Sequence, residues 1–396
     1  MYLHGCHPNR EWLQPVNERN QYPRPATLCV HGGTYVDERT GGVNSPIFTS
    51  TAYAYPNPTH ENVYPRYFNV PNQQVIVRKM AALEKGEDGL VFGSGMAVIS
   101  TVLFAYLKPG DHAVFQADLY GGTYHFVARE LMRFGIEAGF GRTMEELSAC
   151  LRPNTRLIYV ESPSNPLLRC IDLAAVARLG RAHGLLTIID NTFASPINQT
   201  PLEFGIDAVV HSATKYLNGH SDLNAGVLVS SRAVVRKVAE YAIDHGGMLD
   251  AHSCYQLERG LKTLALRVRQ QNESAGRLAR FLQSHPAVVS VAYPGLTEHP
   301  DHEVAARQMR GFGGMLAFEL RNAAQVDQVL GRFKVVTPAL SLGGVESLVG
   351  APSRTSHRSL SPEERRRAGI GDGLLRVSVG IEDVEDLLED FDQALR

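Results

Sequence analysis

A lysine stands in the stretch Asp207-Ala208-Val209-Val210-His211-Ser212-Ala213-Thr214-Lys215-Tyr216-Leu217-Asn218-Gly219-His220-Ser221, between hydroxyl residues and just ahead of a glycine turn. The apolar run before it reads as a strand, and parallel sheets bind ligands beyond the carboxyl ends of their strands. A partly desolvated lysine there is neutral enough to form a Schiff base. A bare Thr-Lys pair is more often a surface lysine, so the context has to decide. Upstream, the run Leu185–Ile189 ends in Asp190-Asn191-Thr192. A carboxylate at that strand end can pair with a pyridinium nitrogen, although alone it would be read as a turn cap. Gly93-Ser94-Gly95-Met96-Ala97 opens an apolar helix, where unpaired N–H groups and the helix dipole favour a phosphate. Tyr120, in Leu119-Tyr120-Gly121-Gly122-Thr123, supplies a ring.

Imine former, pyridinium partner, phosphate turn and stacking ring together match the needs of pyridoxal 5'-phosphate. Each part is common alone; the combination is specific. A nucleotide-dependent oxidoreductase fails the same inspection. The third small residue of the Gly-x-Gly-x-x-Gly fingerprint falls on Val98, and no acid opens a second unit where one is required.

These residues need a scaffold of strands alternating with helices. Short apolar runs at His112–Gln116, Arg156–Val160, Leu185–Ile189, Ala208–His211 and Gly226–Ser230 alternate with amphipathic stretches near 123–134, 172–183 and 233–243. That pattern predicts an α/β fold whose mainly parallel sheet is covered on both faces. A helix-like stretch from about 70 to Lys85 precedes it, and residues 1–67, dense in Pro, Asn, Tyr and Gly, read as an arm lying over something else. A large domain is expected over 68–258. Over 259–396, a long amphipathic stretch to about Ser284, strands at Val288–Tyr293, Gly314–Leu320 and Arg376–Val379, a helix near 323–333 and an acidic helix from Asp383 predict an α+β domain. Ser353–Gly373, with its run Arg365-Arg366-Arg367, reads as a solvated helix between loops.

The 396 residues allow two or three domains at roughly 150 residues each. Thirty-nine basic against 41 acidic residues leave a net charge of −2, which gives no electrostatic drive toward nucleic acid or an anionic membrane. No basic, helix-turn-helix-like segment flanks the core, which argues against a regulator built on a cofactor fold. The five scattered cysteines form no C-x-x-C pair, so neither a disulfide framework nor a metal site is expected, and a reducing cytoplasm fits best. The polar first 23 residues lack a signal-peptide core, and no apolar run approaches the roughly 20 residues of a membrane helix.

From about His31 to the C-terminus the sequence resembles the pyridoxal-phosphate enzymes of cysteine and methionine metabolism. This trans-sulfuration family comprises cystathionine γ-synthase, cystathionine γ- and β-lyase, methionine γ-lyase and the homoserine sulfhydrylases. Ser212–Ser221 is the strongest motif. The resemblance implies an aspartate-aminotransferase-like (fold type I) enzyme, assembled as a homotetramer, a dimer of dimers whose sites are completed by the arm of a neighbour. It makes Lys215 the Schiff-base lysine and proton shuttle, Asp190 the pyridine-nitrogen partner and Tyr120 the stacking ring. Gly95, Met96, Ser212 and Thr214 would hold the phosphate, joined across the subunit boundary by Tyr64 and Arg66. Asn165 would lie near a cofactor oxygen, Arg376 would clamp the substrate α-carboxylate, and Ser341 would line the same pocket. Tyr120 or Tyr64 is the expected acid.

Four departures bear on the substrate. Leu340 stands where cystathionine-using members commonly carry an acid, so a distal ammonium would lack its partner. Gly122 stands where methionine γ-lyases carry a cysteine. The arm reads Asn69-Val70-Pro71 in place of Asn-Pro-Thr, and Ala351-Pro352-Ser353-Arg354-Thr355-Ser356-His357 differs from the usual His-Pro-Ala segment. The expected activity is γ- (or β-) elimination from a sulfur amino acid, giving a 2-oxo acid, ammonia and a thiol. The alternative is γ-replacement on an O-acylated homoserine.

Overall fold

The computed structural model describes residues 24–55, 62–355 and 361–396. The polar first 23 residues and the Ser356-His357 end of the altered C-terminal segment lie outside them. Seven strands form the main sheet: β1 (Asp88–Phe92), β2 (His112–Gln116), β3 (Glu137–Gly141), β4 (Thr155–Glu161), β5 (Leu186–Asp190), β6 (Ala208–Ser212) and β7 (Gly226–Ser230). Their order is β1-β7-β6-β5-β4-β2-β3. From β3 to β6 the pairings are parallel. β7 alone is reversed, pairing antiparallel with β6 and β1.

The strands read as continuous apolar runs because both faces are covered. On one face Val98, Val102, Val235 and Val238 of helices Gly95–Tyr106 and Arg232–His245 meet Phe115, Tyr159, Ile188 and Val210. On the other, Leu173, Val176 and Ala177 meet Ile158, Ile189 and Val209. The alternation within β6, Val209 to one side and Val210 to the other, follows from the strand period of two.

Two strands of this sheet lie outside the apolar runs of the sequence. β3 is an edge strand with two glycines, half exposed over most of its length, and so carries a weak pattern. β1 follows helix Pro71–Glu84 after a three-residue turn in which Lys85 ends the helix with φ 64°. Its apolar run merges with that of the helix.

A second sheet contains β8 (Val288–Ala292), β9 (Met315–Leu320), β10 (Thr337–Pro338), β11 (Leu348–Gly350) and β12 (Leu374–Ser378), in the order β10-β11-β12-β9-β8. The amphipathic stretch before it is broken into helices Ala251–Leu261 and Leu264–Ser284. The longer helix joins two cores. Leu264, Ala265 and Val268 pack beside Val91, Val227 and Val229 of the main sheet. Leu278 and Leu282 pack with Phe318, Val377 and Phe391 of the second sheet and the closing helix Val384–Leu395. The arginine run forms a short helix, Pro362–Arg367, with Arg365 paired to Asp372 at 3.1 Å.

Residues of the arm lie against helix Pro71–Glu84, and the polar residues at its start bind them. Asn72 accepts from the Phe48 N–H and donates to the Pro46 carbonyl, both at 2.8 Å. Gln73 donates to the carbonyls of Pro65 and Leu249, and Gln74 to that of Phe68. The fully buried Lys79 donates to the Cys29 carbonyl at 2.9 Å and to the Thr34 hydroxyl. Buried polar groups require such partners. None of the helices among the described residues is long and apolar enough to cross a membrane.

Candidate active site

Glu161, Asp190 and Ser212 close β4, β5 and β6 at the carboxyl edge of the sheet. Asp190 is buried, and its Oδ1 accepts from the backbone N–H of Thr192 at 3.0 Å and from the Thr192 hydroxyl. The Thr192 Oγ1 in turn accepts from the Ser212 N–H at 2.8 Å. One threonine therefore ties the acid to the serine of the neighbouring strand. Burial raises the Asp190 pKa above the ordinary carboxylate value, and the Thr192 bonds oppose that rise. A protonated ring nitrogen would supply the countercharge that burial demands.

Helix Gly95–Tyr106 begins after Ser94, whose hydroxyl accepts from the Ala97 N–H at 3.0 Å. The N–H groups of Gly95 and Met96 belong to the first turn and have no acceptor within the helix. A Cβ on Gly95 would stand 2.8 Å from the Ser212 Cβ. Glycine therefore brings the serine hydroxyl to the mouth of the helix, so Gly95, Met96 and Ser212 form one cradle. The Thr214 hydroxyl accepts from the Ala225 N–H at 3.0 Å and donates to the Ala225 carbonyl at 3.3 Å. A phosphate would have to take that second bond.

The Lys215 Nζ donates to the Ser341 Oγ at 2.7 Å. Burial, and next the charge of Arg376, lower the lysine pKa to about 8. Arg376, on β12, donates from Nη1 to the Asn165 Oδ1 at 3.0 Å and from Nη2 to the Ser341 carbonyl at 3.2 Å. No carboxylate among the described residues pairs with it, and burial lowers its pKa to about 10. A half-buried guanidinium with only neutral partners is arranged to receive an anion. Lys215, Asn165, Ser341 and Arg376 thus converge as expected, across both sheets.

Tyr120 is half exposed, and its backbone N–H donates to the Glu161 Oε2 at 2.8 Å. Its ring folds over Gly122, where a Cβ would stand 2.5 Å from the ring Cε1. Leu340, 67% exposed, lies immediately before Ser341. Tyr64 and Arg66 are on the surface. The Arg66 Nη1 donates to the Ile243 carbonyl at 2.8 Å, and its guanidinium stands 5.8 Å from the Tyr64 ring. Within this chain Arg66 is thereby held against helix Arg232–His245.

Sequence reasoning missed Glu161, and also a buried network on the opposite side of β6. There His211 Nε2 lies 2.6 Å from the Glu84 Oε1, which also accepts from Asn191. Gln199 bonds the Asn191 carboxamide, and Gln308 donates to Gln199. The neighbours of Ser212 and Asp190 in the chain are thereby anchored.

The residues present suit pyridoxal phosphate. The cradle that a Cβ would fill, the buried acid Asp190 and the lysine of lowered pKa are the parts it needs. The family model described as Cys/Met metabolism PLP-dependent enzyme matches residues 26–396. Cystathionine gamma-lyase of Bacillus subtilis is 44% identical over 374 residues, covering 93% of this chain and 98% of that protein. Cystathionine gamma-synthase of Mycobacterium bovis is 42% identical over 383 residues, covering 94% and 96%. Among solved structures, cystathionine gamma-lyase from Lactobacillus plantarum complexed with L-serine superposes with a TM-score of 0.90 at 37% identity, covering 94% of this chain and 98% of that one. With nearly the whole length matched in sequence and in fold, the chain belongs to the pyridoxal-phosphate-dependent enzymes of cysteine and methionine metabolism.

Proposed function

We propose that the chain is a carbon–sulfur lyase that catalyses γ- (or β-) elimination from a sulfur-containing amino acid, releasing a 2-oxo acid, ammonia and a thiol. The observation that carries this reading is the double use of Ser341, whose hydroxyl meets Lys215 and whose carbonyl meets Arg376. An amine able to take a Cα proton and a guanidinium able to take an α-carboxylate stand on either side of one residue. That spacing suits an α-amino acid.

Pyridoxal phosphate, when bound, supplies the sink for the charge left at Cα. Asp190 would keep a proton on its ring nitrogen, and Gly95, Met96, Ser212 and Thr214 would hold its phosphate with Tyr64 and Arg66 of a neighbouring subunit. Lys215 moves the Cα proton. Tyr120 covers the ring, and it or Tyr64 protonates the leaving sulfur. Asn165, Ser341 and Arg376 bind the substrate. In this reading residues 1–67 are the arm that reaches the neighbour, 68–258 the cofactor domain and 259–396 the closing domain of a cytoplasmic homotetramer.

The relatives named as γ-lyases support elimination. The exposed apolar Leu340 favours a second reading, γ-replacement on an O-acylated homoserine, because it offers no acid to a distal ammonium. Product analysis separates them. Purified enzyme is given cystathionine, homocysteine, cysteine or methionine, and separately O-succinyl- or O-acetylhomoserine with and without a thiol. A 2-oxo acid from the first set supports the lyase; a thioether formed only from the second, with no 2-oxo acid from the first, replaces it.

A further inference from the structure

We propose that Glu161 is a positioning residue that holds Tyr120 over the cofactor ring and couples that ring to the substrate-carboxylate clamp. The inference rests on the reading that Tyr120 stacks on the cofactor. Glu161 is buried, and it accepts the Tyr120 N–H at 2.8 Å while its own backbone N–H donates to the Gln116 Oε1 at 3.0 Å. The backbone that carries the carboxylate is therefore tied to the end of β2 as well as to β4. Four residues on, the same loop presents Asn165 to Arg376.

The side chain lies beside Asp190, its register partner on β5, and on the same face of the sheet. A second buried acid next to the ring-nitrogen partner is costly unless it serves a geometric need. Burial and the charge of Asp190 push its pKa well above the ordinary value, and the backbone amides of Tyr120 and Asn165 draw it back. The bond from the Tyr120 N–H is the compensation that the geometry provides. Because Glu161 also leads into the loop that carries Asn165, loss of the acceptor frees the stacking ring and loosens the clamp beside it.

The test uses cofactor-free protein titrated with pyridoxal phosphate, the visible circular dichroism of the bound cofactor, and steady-state kinetics. Glu161→Ala is expected to weaken cofactor binding about tenfold, since the Tyr120 N–H loses its acceptor, and to diminish the dichroic band. It should also lower kcat and raise KM together. Glu161→Gln keeps an acceptor oxygen of the same reach and is expected to restore binding, dichroism and KM. Tyr120→Ala serves as the reference. If Tyr120→Ala weakens binding but Glu161→Ala does not, the inference fails while the stacking reading stands. If neither does, the stacking reading itself fails. An equal defect in the Gln and Ala variants also overturns the inference, because hydrogen-bond acceptance would then not be the property that matters.

Discussion

Lys215, in the turn after β6, and Ser341, in the loop between β10 and β11, meet at 2.7 Å, Nζ to Oγ, with Ser341 held at φ 83°. A serine in that left-handed region stores about 1–3 kcal/mol of strain, which must be held by its surroundings. The next residues show how. The Gly343 N–H donates to the Ser378 hydroxyl at 2.7 Å, and Gly343 packs so closely on Tyr216 that a Cβ would stand 2.8 Å from the Tyr216 nitrogen. The loop carrying Ser341 is thereby pressed onto the residue that follows the lysine.

The first expectation concerns protonation of Lys215. Burial and the Arg376 charge lower its pKa to about 8, so the unprotonated amine accumulates as pH rises through 8. In cofactor-free protein the rate of reaction with pyridoxal phosphate should rise with pH around that midpoint. Arg376→Leu removes the neighbouring cation, so the midpoint should move upward. An unchanged midpoint would show that Arg376 does not act on the amine.

Arg376 itself makes a second case. Its two Nη groups are aligned by Asn165 and Ser341, and lysine cannot reproduce a planar fork. Arg376→Lys should raise KM for amino-acid substrates by about 10- to 100-fold, in the range of one lost charged hydrogen bond, with a smaller change in kcat. Steady-state kinetics on any accepted substrate decides it.

Much of this site was legible in sequence because its parts sit at strand ends, where a change from apolar run to Asp-Asn-Thr or Ser-Ala-Thr-Lys is conspicuous. Asp190 and Ser212 lie on adjacent strands for that reason. Glu161 was not legible. Its role depends on register with Asp190 and on a bond to the backbone of Tyr120, and neither leaves a spacing rule in the chain. The same holds for Glu84 and His211, which stand 127 residues apart in the chain and meet only in the fold. Among the strands, β3 escaped because an edge strand with Gly139 and Gly141 has little apolar pattern, and β10 because it has only two residues. Asn72, Gln73 and Gln74 are polar residues at a helix start, and their burial follows from chain segments packed on them, which no local pattern announces.

Gly122 supplies a steric test. A Cβ there would stand 2.5 Å from the Tyr120 ring, so Gly122→Ala must displace the ring. Such overpacking typically costs about 1–3 kcal/mol, and here it falls on a half-exposed ring that can move aside. Cofactor affinity and the visible dichroic band should therefore fall more than thermal stability does. Equal binding in the variant and the parent would show that the ring is not confined by Gly122.

Leu340 tests the substrate. Replacing this exposed apolar residue by an acid, Leu340→Glu, should raise kcat/KM for cystathionine relative to methionine, because a distal ammonium then finds a countercharge. The effect of one partly exposed pair is about tenfold or less. Competition between the two substrates in one reaction measures the ratio directly.

The most direct measurement is the amount of 2-oxo acid and ammonia released from cystathionine, homocysteine, cysteine and methionine by the wild type and by Lys215→Ala, both saturated with pyridoxal phosphate. The account expects at least one substrate to yield the two products in equal amounts with wild type, and none to do so with the variant. Release of 2-oxo acid by Lys215→Ala at the wild-type rate would contradict the role of the lysine. Silence from wild type on all four, with a thioether formed from an O-acylhomoserine and a thiol, would contradict elimination.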